Sequence, residues 1–148
     1  MIKNIIILLI FLITNLLEVA FAKPFFHHFL FLNVVVLVIF ATNSKFYTQS
    51  LVLGLVYGVI VNILFSSNLF LLPAVFVLAV FVLNKLGLWF GQKLIQKLVY
   101  IVVSITLLRF FTGNGSITQV FGSEMVFIVI YALFINFLSN QLKQYVDY

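Results

Sequence analysis

The chain has 148 residues, of which 65% are hydrophobic and only 7% charged, with a mean hydropathy of +1.30. A soluble domain carries roughly a quarter of its residues as charge, so the solvent for this chain is lipid and most soluble-enzyme classes fall away. Cysteine is absent, which excludes disulfides, thiolate catalysis and cysteine-based metal sites, and the net charge of +5 lacks the basic run that nucleic acid binding needs.

A helix crosses a bilayer in about 20 residues, so the length accommodates about six spans in one integral membrane domain, residues 1–148. The fold class is all-α, because lone sheet edges are not tolerated in hydrocarbon and the apolar runs do not alternate as barrel strands do. The first predicted span covers residues 4–22, between Lys3 and Lys23. Its Ala20-Phe21-Ala22 ending resembles a secretory cleavage site. Against cleavage, the run is long enough to cross, Glu18 interrupts its end, and more membrane sequence follows, so a retained helix is the expectation.

Pro24 suits the start of a second span at 25–41, where its missing N–H costs nothing. Thr42-Asn43-Ser44-Lys45 is a polar break before a third span at 46–65. The tight turn Ser66-Ser67-Asn68 leads to a fourth span at 69–88, where Pro73 falls in or just beyond the first turn. A short connection holding Gly91, Gln92 and Lys93 precedes the fifth span at 94–111. The longest loop, Thr112 to Ser123, precedes the sixth at 124–142. With six crossings, Lys3, Lys45, Lys85, Lys93, Lys97 and Lys143 share one side, leaving Lys23 and Arg109 on the other. Lysine and arginine are retained on the cytoplasmic side, so both termini are expected in the cytoplasm of a multi-pass membrane protein.

Polar interruptions of the lipid-facing sequence are few. Ser50, Gly54, Gly58, Asn62 and Ser66 recur every four residues in the third span, on one oblique ridge where a second backbone can approach closely. That ridge is an internal packing face, a docking face for a partner or the side of a ligand path. Glu18, Lys23, His27, His28, Arg109 and Glu124 form a polar cluster at the outer face. Its charged members are expected to reach the interface from the ends of their spans, with Arg109 and Glu124 pairing across one loop. Adjacent His27 and His28 point about 100° apart on a helix and make a poor metal pair. No nucleophile–base constellation stands out, and neither catalytic, cofactor nor metal residues are expected.

The stretch Leu53 to Gly87, LGLVYGVIVNILFSSNLFLLPAVFVLAVFVLNKLG, resembles the MreD family of rod-shape-determining membrane proteins. The resembling elements are Gly54 and Gly58, Asn62 one turn later, the Ser66-Ser67-Asn68 turn, and Gly87 followed by Lys93, with Pro24 opening the second span. Many members carry aspartate where this chain has Asn62, and glycine often stands where it has Leu69. The resemblance implies a non-enzymatic scaffold subunit of the bacterial cell-elongation machinery, in the cytoplasmic (inner) membrane. Its implied partners are an MreC-like single-span protein and, through it, peptidoglycan synthases, with the lipid bilayer around it. The implied fold is similar to the substrate-binding subunits of energy-coupling-factor transporters. A substrate-binding membrane subunit for vitamin or metal uptake is therefore the alternative function.

Overall fold

The computed structural model describes residues 1–22, 30–65, 71–91, 93–112 and 123–146. Helix α1 spans Ile2–Leu17 and runs on as a π-helical turn, Glu18–Ala22. Helix α2 is Leu32–Ala41, followed by a 3-10 turn at Ser44–Phe46. Then come α3 (Tyr47–Phe65), α4 (Leu71–Phe90), α5 (Leu94–Thr112) and α6 (Ser123–Val146). The described residues contain no strand. Four segments are long and apolar enough to cross a membrane: Ile2–Phe21, Tyr47–Leu64, Leu71–Phe90 and Glu124–Gln144.

Helix α2 is the hub. Its sequence is apolar all round except for Asn33, and such a helix is buried on every side. All of its residues are buried, and it touches each of the other five helices. Ten residues rise only about 15 Å, half the roughly 30 Å of a hydrocarbon core. The expected continuous span over 25–41 is thus replaced by a short helix whose described part starts at Leu32. Residues 25–29 lie outside the described residues. The reason is local: Phe31 stands in the left-handed region at φ 57, which interrupts a right-handed helix. Glu18 takes the amides that such a break leaves over.

Side-chain links fix which ends meet. Asn4 of α1 accepts from Gln49 of α3, Asn84 of α4 donates to the Ala41 carbonyl, and Lys97 of α5 donates to Asn136 of α6. One end of the bundle therefore collects the start of α1, the ends of α2, α4 and α6, and the starts of α3 and α5. Lys3, Lys45, Lys85, Lys93, Lys97 and Lys143 all belong to it. Gln96 ties the α4–α5 connection, accepting from the Lys93 amide and donating to the Phe90 carbonyl, with Gly91 at φ 97 in the turn between them. The opposite end holds Glu18, Arg109 and Glu124.

The tightest seam runs between α3 and α4. A Cβ placed on Gly58 would lie 2.5 Å from Pro73 Cα, and one on Gly54 would lie 3.0 Å from Val80 Cγ2. Glycine lets these backbones come together as no other residue would. Pro73 sits two residues after the first residue of α4, where an unpaired amide is no loss. At the lysine-rich end Gly87 does the same against α2, since a Cβ there would lie 2.6 Å from the Thr42 carbonyl oxygen.

Candidate functional site

A helix end inside a bundle leaves its first N–H groups without intrahelical acceptors, and lipid offers none. At the start of α2 that need is met by Glu18. Its Oε1 accepts from the Leu30 amide at 2.5 Å and the Phe31 amide at 3.3 Å, while Oε2 accepts from Leu32 at 3.3 Å. A carboxylate at a helix N-terminus also meets the positive end of the helix dipole. One turn earlier in α1, Thr14 and Asn15 extend the contact. Asn33 Nδ2 donates to Asn15 Oδ1 at 2.6 Å. Thr14 gives its single hydroxyl proton to the Ile10 carbonyl at 2.7 Å, which makes Tyr131 of α6 the donor in the 2.5 Å Thr14–Tyr131 bond.

Beside this clasp, Arg109 Nη2 donates to Glu124 Oε2 at 2.9 Å and joins α5 to α6. Glu18 lies within electrostatic reach of Arg109, Tyr57 and Tyr131. Tyr57 projects from α3 into the centre, edge-on to Phe11 of α1 and Phe76 of α4 at ring-centroid distances of 6.1 and 5.2 Å. Its hydroxyl and Asn33 Oδ1 are buried with no hydrogen-bond partner among the described residues. The expectation that the charged groups of this end reach the interface is overturned. Glu18 and Arg109 are each 2% exposed and Glu124 is 7% exposed, because each has an internal partner. Lys23, His27 and His28, the remaining members of the predicted outer cluster, lie outside the described residues.

The predicted ridge of the third span is divided in its roles. Gly54 and Gly58 are buried against α4 and leave no room there for a partner's helix. Ser50 is buried and turns back on its own helix, donating to the Phe46 carbonyl at 2.8 Å. Asn62 is half-buried, and Ser66 lies outside the described residues.

Four groups were not singled out in the sequence: Thr14, Asn15, Tyr57 and Tyr131. Thr14 and Glu18 stand four apart, so they share a helix face, and that spacing is the signal that marks them. Nothing local marks Tyr57 or Tyr131. Among the described residues no group of three His, Asp or Glu side chains gathers as a metal site would require.

A second feature lies on the far side of α2. Helices α4 and α5 are consecutive but do not close on one another, and a cleft of about 300 Å³ separates them. Its floor is α2, through Val34 and Leu37; its walls include Val75 and Ala79 of α4 and Leu107 of α5. Among the described residues Ser104 is the one polar side chain that lines it. The cleft therefore suits hydrocarbon and offers little to a polar solute.

Neither a family model, nor a characterised protein, nor a solved structure matches this chain. Its class rests on the architecture: among the described residues, an all-α bundle with four helices long and apolar enough to cross a membrane, built round a short interrupted helix.

Proposed function

We propose that the chain is a non-enzymatic scaffold subunit of the bacterial cell-elongation machinery. It resides in the inner membrane with both termini in the cytoplasm and docks an MreC-like single-span protein, through which it reaches peptidoglycan synthases. The observation that supports this reading best is where the charge goes. Glu18 is used on α2 amides and Arg109 on Glu124, so the charged groups of that end tie helices together. What faces outward is apolar side chain, including Leu55, Val59 and Ile63 of α3 and Leu133, Phe134 and Phe137 of α6. A protein whose chemistry is internal and whose exterior is a set of helix faces is suited to holding other membrane helices. With Gly54 and Gly58 occupied by α4, the docking surface is moved from the glycine ridge to these outer faces.

The experiment is co-expression of the tagged chain with an MreC-like single-span protein, purification in mild detergent, and depletion of the chain in rod-shaped cells. Co-elution and rounding of the cells are expected. Clean purification of the chain alone, with cell shape unchanged on depletion, would overturn the proposal.

One observation favours the uptake-transporter alternative. Asn33 Oδ1 and the Tyr57 hydroxyl are buried acceptor and donor groups at an interrupted helix, an arrangement that transporters use to bind substrate. Under that reading a vitamin or metal ion raises the melting temperature of the purified chain, and replacing Tyr57 with phenylalanine abolishes the rise.

A further inference from the structure

We infer that one buried water molecule completes the junction of α1, α2 and α3, accepting from the Tyr57 hydroxyl and donating to Asn33 Oδ1 and Glu18 Oε2. Neither reading of the function is needed for it. Tyr57 and Asn33 are 1% and 2% exposed, and the Tyr57 hydroxyl and Asn33 Oδ1 have no hydrogen-bond partner among the described residues. One is a donor and the other an acceptor, yet they do not bond each other. Buried polar groups are paired with protein or with ordered water, and the hydrocarbon around the bundle offers them nothing.

The three groups come to one stretch of α1. Tyr57 lies edge-on to Phe11, and Asn33 donates to Asn15, one turn further on. Glu18 follows Asn15 in the next turn and is within electrostatic reach of Tyr57. From Phe11 to Glu18 the helix rises about 10 Å. The backbone is irregular here on both sides. Helix α1 passes into its π-helical turn at Glu18, and Phe31 is left-handed just before α2. Regular helices close by fitting ridges into grooves. Neither of these backbones presents such a surface, so a space of water size can persist between them.

Proton counting chooses the occupant. A carboxylate oxygen has two acceptor sites. Glu18 Oε1 uses both, on the Leu30 and Phe31 amides, whereas Oε2 accepts from the Leu32 amide and keeps one site. The junction thus has one proton to give, on Tyr57, and two acceptors to fill, on Asn33 and Glu18. A water molecule has two protons and accepting lone pairs, and it matches all three groups, the usual number of bonds for a buried water. An alkali cation would fill the two acceptors and leave the Tyr57 proton ungiven. Direct hydrogen bonds at this level join α1 to α2, and the water brings in α3.

The test uses the full chain in perdeuterated detergent. Tyr57→Phe keeps the ring and removes the hydroxyl. If that hydroxyl is bonded to water, its loss lowers the melting temperature, by about 3 °C for a chain of this size. If it is unmet, its loss raises the melting temperature, because a buried unpaired group is removed. The first result is expected. In an Asn33→Leu background, where the water has lost one anchor, Tyr57→Phe should shift melting less. If Asn33→Leu does not fold, the sign of the Tyr57→Phe shift decides alone. Direct detection comes from nuclear Overhauser effects between water and the ring protons of Phe11 and Phe76, which are buried, bonded to carbon and set against Tyr57. Cross-peaks of the sign given by water that tumbles with the protein are expected, weakened in Tyr57→Phe. A raised or unchanged melting temperature in Tyr57→Phe, ring protons without water cross-peaks, or cross-peaks of full strength in that variant each overturn the proposal. So does a melting temperature that rises when sodium chloride replaces choline chloride at equal concentration and loses the rise in Tyr57→Phe, which would show a cation at the junction instead.

Discussion

Helix α4 has two sides that behave differently. Against α3 it makes the closest contact in the bundle, with Pro73 and Val80 set against Gly58 and Gly54. Towards α5 it presents Val75 and Ala79 and leaves a cleft. Both sides are apolar, so hydrophobicity does not distinguish them. In lipid the transfer of apolar side chains from bilayer to protein gains little, and helices associate where small residues allow backbone approach or where polar groups bond. The α3–α4 seam has the glycines; α5 meets α6 through Arg109–Glu124 and Lys97–Asn136. Between α4 and α5, Gln96 bonds the Phe90 carbonyl in the connection itself. Closure follows the glycines and the paired polar groups rather than the apolar residues.

Breaking the seam should have the largest effect. Gly58→Leu drives a side chain into Pro73 Cα and the Leu72 carbonyl, backbone atoms that move only if the helices part. A loss of about 3 kcal/mol or more is expected. It would be read as a collapse of the monodisperse fraction after heating in detergent, and an unchanged melting temperature would show that the seam does not hold the bundle.

Next in size is Glu18→Ala. It leaves the Leu30, Phe31 and Leu32 amides with no side-chain acceptor and affects α2, the element beneath both seam and cleft. About 3 kcal/mol is expected, with Glu18→Gln costing roughly half because one oxygen still accepts. If alanine and glutamine melt alike, the clasp is not what secures α2. Gly54→Ala is milder. The new methyl meets Val80 Cγ2 at 3.0 Å, the tip of a side chain, and about 1 kcal/mol separates it from the unaltered chain in the same melting assay.

The helical class, four of the six expected membrane-crossing segments and the glycine spacing were legible in the sequence because each is a periodic or compositional signal over many residues. The interruption before α2 was not. It depends on one left-handed residue, Phe31, in a run with no glycine or proline to mark a break, and on a carboxylate twelve to fourteen residues upstream. The Arg109–Glu124 pair could be read because the two residues flank a single loop. Thr14–Tyr131 could not, since 117 positions separate them and only the packing of α1 on α6 joins them. The fate of Glu18 was misjudged for a related reason. A carboxylate near a span end reaches water by default, and only a nearby helix N-terminus gives it a better partner inside.

The smallest effect should come from the cleft wall, and its smallness sharpens the contrast with the seam. Leu107 is 54% exposed beside the cleft, whereas Ile105, two positions earlier on α5, is 1% exposed. Truncating Ile105 to alanine empties space that no lipid enters, at about 2–4 kcal/mol. Truncating Leu107 exposes a surface that a hydrocarbon chain covers as well as leucine did. The transfer term vanishes with no dry cavity left behind, and less than about 1 kcal/mol is expected. Melting curves of the two variants in the same detergent should therefore separate widely. If Leu107→Ala falls as far as Ile105→Ala, the cleft is sealed by protein in the folded bundle, and the two sides of α4 are packed alike.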